Sequence, residues 1–219
     1  MHVARVLCSI VALCLVALPA RAADPPPAGG SELLLIFDAS GSMWGQVQKQ
    51  SKIEIAKRVL DQVLAKLPAT TPVGLIAYGH RSKTDCADIE TVVAPGATDR
   101  AALLKAVAGI QPKGKTPIAG SVKKAIELLR ARETASTVVL ISDGIETCDG
   151  DACALVREAR AAGVKFVMHV VGFDMGEADV SQLECAAQAG GGLYFSATDA
   201  GGLAAALEQA VAMTPESPG

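Results

Sequence analysis

Leu33-Leu34-Leu35-Ile36-Phe37 runs directly into Asp38-Ala39-Ser40-Gly41-Ser42, so that an unbroken apolar stretch delivers an alternating set of oxygen side chains. Five consecutive apolar residues without polar alternation fit a strand buried on both faces, as parallel strands are. Further runs of this kind are 73–78, 138–141, 166–171 and 193–195. Between them lie amphipathic stretches. Ile53, Leu60, Val63, Leu64 and Leu67 share one helical stripe, and Leu203, Leu207 and Val211 another. Asp99, Leu103, Leu104 and Val107 begin a helix with Thr98 as its expected cap, and Val122, Ile126 and Leu129 mark one more. The residues from 46 to 52 read as an exposed helix start. Alternation of strand and helix predicts an α/β class fold: a doubly wound, mostly parallel central sheet with helices on both faces. Residues 88–93 add one short edge strand, antiparallel because its connection to 73–78 is too short for a crossover.

In such folds ligands gather beyond the carboxyl ends of the strands, and Asp38, Ser40, Ser42 and Asp143 all lie there. Asp143 follows Val138-Val139-Leu140-Ile141-Ser142, while Thr116 sits in a Gly/Lys/Pro loop before a helix. D-x-S-x-S on a tight loop can turn three oxygens toward one point, with Gly41 relaxing the backbone between the serines. Hydroxyls and carboxylates without imidazole or thiolate are hard ligands, so the expected ion is Mg²⁺, with Mn²⁺ or Ca²⁺ as alternatives. Two carboxylates only balance its charge, which leaves the ion electrophilic toward a further carboxylate from outside. Taken alone, D-x-S-x-S is also an Asx-turn capping the next helix; Thr116 and Asp143 in matching settings favour the metal.

These residues carry a family resemblance. The chain resembles a von Willebrand factor type A domain with a metal-ion-dependent adhesion site, across Asp38-Ala39-Ser40-Gly41-Ser42, Gly114-Lys115-Thr116-Pro117, Ile141-Ser142-Asp143-Gly144 and Gly190-Gly191-Gly192-Leu193-Tyr194-Phe195. The resemblance implies that Ser40, Ser42 and Thr116 bind the metal directly and that Asp38 and Asp143 act directly or through water. It also implies that a protein partner's Asp or Glu completes the coordination. Ser42-Met43-Trp44-Gly45, Tyr78-Gly79-His80-Arg81 and Glu146-Thr147-Cys148 resemble small exported bacterial members.

A rival occupies the same residues. The stretch from Gly109 to Thr116 satisfies G-x-x-x-x-G-K-[ST], the phosphate-binding loop of nucleotide hydrolases, and would make this a Mg²⁺-dependent nucleotide or phosphate-ester hydrolase. Such a loop follows a buried strand, whereas Gly109 follows a helical pattern and Pro112 interrupts the backbone that should offer N–H groups. No G-x-S-x-G elbow surrounds any serine. The expectation is therefore a non-enzymatic binding module. Around the ion, Trp44 reads either as an apolar contact for a partner or as packing beneath its loop. His80 reads as a metal-face residue or a loop brace, Glu146 as a carboxylate competing for the open position or a solvated acid, and His169 as a core histidine.

The first 22 residues read as a secretory signal, with Arg5, an apolar run from Val6 to Leu18, and Ala20-Arg21-Ala22 as cleavage site. Residues 23–31 read as a Pro/Gly-rich linker, 32–213 as the folded domain and 214–219 as a disordered tail. The expected location is the periplasm or beyond, with no membrane span in the mature chain. Loss of Arg5 and Arg21 moves the formal charge from −3 to −5, which argues against nucleic acid as partner. Export also takes Cys8 and Cys14 and leaves Cys86, Cys148, Cys153 and Cys185, an even set that favours two disulfides over a zinc site. Cys153 and Cys185 each read as beginning a helix after a strand, and as strand neighbours they suggest Cys153 with Cys185, leaving Cys86 with Cys148; a local bridge between Cys148 and Cys153 is the competing arrangement.

Overall fold

The computed structural model describes residues 32–213. The expected signal segment 1–22, expected linker 23–31 and expected tail 214–219 lie outside the described residues. Strands β1 (Glu32–Asp38), β4 (Val73–Tyr78), β5 (Ile89–Val93), β6 (Ser136–Ser142), β7 (Phe166–Phe173) and β8 (Gly191–Ala197) form one sheet in the order β5-β4-β1-β6-β7-β8. All neighbours are parallel except β5, which pairs antiparallel with β4. β1 is buried at every residue because helices cover both sides. Leu33, Leu35 and Phe37 pack with α1 (Lys52–Lys66), α2 (Arg100–Gly109) and α6 (Ala200–Ala212). Leu34 and Ile36 face the opposite way, toward α3 (Ile118–Leu129), α4 (Ala152–Ala161) and α5 (Ser181–Ala189). Period-2 alternation of apolar side chains is thus satisfied twice, which is why the run shows no polar positions.

Three local expectations are corrected. The segment expected to start a helix at 46 instead forms a hairpin, β2 (Gln46–Val47) with β3 (Gln50–Ser51), and α1 begins only at Lys52. Its two-residue turn puts Gln48 and Lys49 at φ 51° and 68°, the left-handed conformation that type I′ hairpins require. Ser51 then caps α1 by accepting from the Glu54 amide, which ties the helix start to the end of the hairpin. The cap of α2 is Asp99 rather than Thr98, its carboxylate accepting from Ala102 N–H at 2.9 Å. Cys185 lies in the middle of α5 rather than at its start.

Register brings the ends of three strands level. Asp38 pairs with Tyr78 on one side, and Phe37 with Ile141 on the other, so that Ser142 and Asp143 emerge beside Asp38. Two disulfides, Cys86–Cys148 and Cys153–Cys185, link this end of the molecule. The first joins the loop before β5 to the loop after β6; the second joins α4 to α5.

Candidate metal centre

Asp38 ends β1, and both of its oxygens are taken by protein donors. Oδ1 accepts from the Ser40 amide at 2.7 Å and Oδ2 from the Ser142 hydroxyl at 2.6 Å. The Ser142 oxygen in turn accepts from the Tyr78 hydroxyl at 3.1 Å. All three side chains are fully buried, so the relay holds a buried carboxylate in one orientation. Burial, followed by the charge of Asp38, pushes the Tyr78 phenol well above its ordinary range, so it remains a donor.

The serines continue the chain of oxygens. Ser40 Oγ lies 2.9 Å from Ser42 Oγ, and the Ser42 hydroxyl donates to Asp143 Oδ1 at 2.6 Å. Thr116 reaches the same space from the loop between α2 and α3. A methyl group placed on Gly144 would stand 3.8 Å from Ser42 Oγ and 4.0 Å from Thr116 Oγ1. Gly144 therefore keeps open the space that the two hydroxyls border. The Thr116 loop is strapped to the first cluster by backbone: Gly41 N–H donates to Gly114 O, while Lys113 and Gly114 N–H both donate to Gly79 O. Gly79 adopts φ +69°, and a Cβ there would meet Lys115 O at 2.5 Å, so that close approach requires glycine. Thr147 completes the strap, accepting from Thr116 N–H and returning its own N–H to Thr116 O.

Asp143 contrasts with Asp38. Its Oδ2 is buried and makes no well-formed hydrogen bond; the nearest counter-charge is Lys52 Nζ at 3.2 Å. Burial pushes this carboxyl above its ordinary value and the neighbouring Asp38 adds to the shift, against the opposing Ser42 hydrogen bond and Lys52 charge. Lys52 is itself buried at the first position of α1, where its ammonium also contacts Asp174 Oδ2 at 3.0 Å and Asp174 O at 3.1 Å. Burial opposes its charge, yet Asp174 and Asp143 hold its pKa above the ordinary value. Lys52, Tyr78, Ser142, Thr147 and Asp174 are site residues that the sequence reading passed over. Tyr78 and Ser142 could have been found as strand-end neighbours of Asp38.

The five oxygen-bearing side chains fit a hard divalent cation. Hydroxyls and two carboxylates are the donor types Mg²⁺ or Ca²⁺ prefer, one buried carboxylate oxygen makes no well-formed hydrogen bond and has only an ammonium near it, and the glycine leaves space beside the hydroxyls. Among the described residues no three His, Cys, Asp or Glu side chains cluster to hold a metal, so no soft-ligand site competes.

The flanking residues divide. Trp44 is 52 % exposed, its indole N–H donating to Pro112 O at 3.0 Å, so it does not pack beneath the loop. His80 is engaged instead by Glu90, at 2.9 Å, and braces the β4–β5 loop. Glu146 is neither a competing carboxylate nor a solvated acid. One of its oxygens accepts from Ala119 N–H in the first turn of α3 and the other from Cys148 N–H, both at 2.7 Å. His169 is buried in β7, its Nδ1 accepting from Leu193 N–H at 3.1 Å. The stretch from Gly109 to Thr116 is not a phosphate cradle: it leaves a helix, and the Lys113, Gly114 and Thr116 amides are already bonded within the protein.

A family model, the von Willebrand factor type A domain, matches residues 33–146. The uncharacterized protein YwmD of Bacillus subtilis (strain 168) is 30% identical over 195 residues, covering 84% of this chain and 86% of that protein. Among solved structures, the von Willebrand factor type A protein from Catenulispora acidiphila superposes with a TM-score of 0.66 at 21% identity, over 83% of this chain and 42% of that one. The chain thus spans less than half the length of that structure. Proximal thread matrix protein 1 of the mussel byssus, solved with zinc occupying its metal-ion-dependent adhesion motif, gives a TM-score of 0.62 at 12% identity, over 83% of this chain and 47% of that one.

Proposed function

Because the chain belongs to the von Willebrand factor type A domain family, we propose that it is an exported, metal-dependent protein-binding module that captures an acidic residue of a partner. The family is one of metal-dependent adhesion and protein-interaction modules. The observation that supports the reading is the buried Asp143 Oδ2, which makes no well-formed hydrogen bond and has only the Lys52 ammonium near it, in a cluster with three hydroxyls and a second carboxylate. An anionic oxygen in that position favours a cation.

Ser40, Ser42 and Thr116 would hold the ion through their hydroxyls, with Asp38 and Asp143 directly or through water. When bound, a divalent cation supplies an electrophilic centre for a carboxylate of the partner, in the role of a charge-assisted contact. Asp38, fixed by Ser40 N–H and Ser142, keeps the D-x-S-x-S loop in shape whether or not a partner is present. Trp44, exposed two residues beyond Ser42, and Ile145, 44 % exposed two residues beyond Asp143, offer apolar surface close to both metal-bearing loops. Such surface would give selectivity to a contact that the ion alone leaves general. The proposal of export is supported by the signal-like pattern of the first 22 residues, and among the described residues no helix is long and apolar enough to cross a membrane.

Thr116→Ala provides the test, because Thr116 Oγ1 makes no hydrogen bond among the described residues and its loss leaves the fold intact. Calorimetric titration with MgCl₂ should show a site in the native protein and at least tenfold weaker binding in the variant. An immobilised peptide bearing one exposed Glu should be retained with Mg²⁺ and released by chelator. Retention that persists in chelator would overturn the reading.

A further inference from the structure

Lysine is among the residues least often buried, and a positive charge in the first turn of a helix opposes the helix dipole. Lys52 does both: it is 9 % exposed and is the first residue of α1. Its placement is built rather than incidental. The Lys52 amide donates to Gly45 O at 2.8 Å, and a Cβ on Gly45 would meet Ser42 O at 2.9 Å and Lys52 Cε at 3.3 Å, so the aliphatic stem lies directly against Gly45. The ammonium that arrives has two unequal seats. At Asp174 it contacts both the carboxylate, 3.0 Å, and the backbone carbonyl, 3.1 Å. At Asp143 it stands 3.2 Å from Oδ2, an oxygen that has no well-formed hydrogen bond. Asp174 is a non-glycine residue at φ +51°, its own N–H held by Ala197 O at 2.7 Å. The stronger seat is thus a loop residue in the left-handed conformation whose carbonyl is turned to the ammonium.

We propose that Lys52 is a tethered counter-ion of the metal centre, anchored at Asp174, that neutralises Asp143 in the absence of a divalent cation and weakens the affinity for that cation by competing for Asp143. The inference rests on the metal reading above. It makes Lys52 and Asp174 positioning residues with opposite effects. Removing the ammonium frees Asp143 for the ion; removing the Asp174 carboxylate pushes the ammonium onto Asp143. A purely structural role would weaken binding in both variants or in neither.

Calorimetric titration of MgCl₂ and MnCl₂ into the native protein, Lys52→Met and Asp174→Asn at pH 8 separates these cases. Lys52→Met should bind about tenfold more tightly, on the order of 1.4 kcal/mol, with a larger rise in melting temperature on Mg²⁺ addition than the native protein shows. Asp174→Asn should bind about threefold more weakly; asparagine tolerates the left-handed backbone, so its fold is kept. Unchanged or weaker binding by folded Lys52→Met overturns the inference. Should that variant fail to fold, Asp174→Asn decides alone, and unchanged or tighter binding there overturns it. Absence of any binding by the native protein overturns the metal reading along with the inference. Native binding that Ser42→Ala abolishes and Lys52→Met leaves unaltered removes only the inference.

Discussion

Ser142→Ala should be strongly destabilising, although Ser142 is not among the proposed oxygen donors to the metal. Among the described residues its hydroxyl is the one hydrogen-bond donor to Asp38 Oδ2, at 2.6 Å, and it is the acceptor for Tyr78, at 3.1 Å. Asp38, Tyr78 and Ser142 are all 0 % exposed, so no water replaces what is lost. A hydrogen bond to a charged group contributes roughly 1.5–3 kcal/mol, and a buried hydroxyl left without a partner costs about 1 kcal/mol more. The sum is on the order of 3 kcal/mol, or roughly 6–12 °C in melting temperature for a domain of this size. Tyr78→Phe alone should cost about 1 kcal/mol, because Ser142 still serves Asp38. In the Ser142→Ala background the tyrosine hydroxyl is already orphaned, so Tyr78→Phe should cost nothing further, a coupling of about 1 kcal/mol. Urea unfolding in chelator, where no ion can compensate Asp38, measures all four proteins. A loss below about 0.5 kcal/mol for Ser142→Ala, or additive single-variant effects, would refute the relay.

Two further outcomes follow from the same geometry. In chelator, Asp143→Asn should change how stability depends on pH. A carboxyl whose folded pKa is raised destabilises the fold once ionised, so its contribution falls as pH rises from the ordinary value of 3.8 through the raised one. The stability of the native protein minus that of the variant, followed by urea unfolding from pH 4 to 7, should therefore decline with pH; a rising difference is inconsistent with the Asp143 environment described here. Replacing Cys86 and Cys148 by serine opens a loop with a sequence separation of 62, a loss on the order of 4 kcal/mol from chain entropy. Because Cys148 follows Glu146 and Thr147, Mg²⁺ affinity should weaken as well, and calorimetry showing full affinity in the serine variant would separate the bridge from the site.

The centre of the sheet was legible because β1, β4, β6 and β7 are buried on both faces, and burial writes itself into sequence as uninterrupted apolar runs. Even the antiparallel edge strand followed from the short connection after Tyr78. The hairpin from Gln46 to Ser51 was not legible: type I′ turns are signalled by Asn or Gly, and here Gln48 and Lys49 occupy the left-handed positions. Nor does an amphipathic pattern reveal a buried lysine, since Lys52 differs in type from its buried neighbour Ile53 and reads as part of the polar side. The ends of β1 and β6 could be seen to carry Asp38 and Asp143. The contacts among them depend on register, which sets Tyr78 opposite Asp38 and brings Ser142 to its other side. Glu146 shows the same limit: nothing in its neighbours in sequence announces that it caps the first turn of α3, a contact 27 positions away.

The two carboxylates at the strand ends solve one electrostatic problem in different ways. Asp38 is held by neutral donors at both oxygens, so its orientation does not depend on any ion. Asp143 has a neutral donor at one oxygen and only a cation near the other. The loops that carry them are already locked, by Gly79 and Thr147 to the Thr116 loop, by Glu146 to α3 and by Cys148 to Cys86. What the structure leaves adjustable is therefore a single ammonium group with an alternative seat at Asp174. On the proposed function, a divalent cation would meet a face needing no loop movement, and the entropy of ordering that face would already be spent in folding. Selection among partners would then rest on what surrounds the ion, above all the exposed Trp44, rather than on a rearrangement of the ligands themselves.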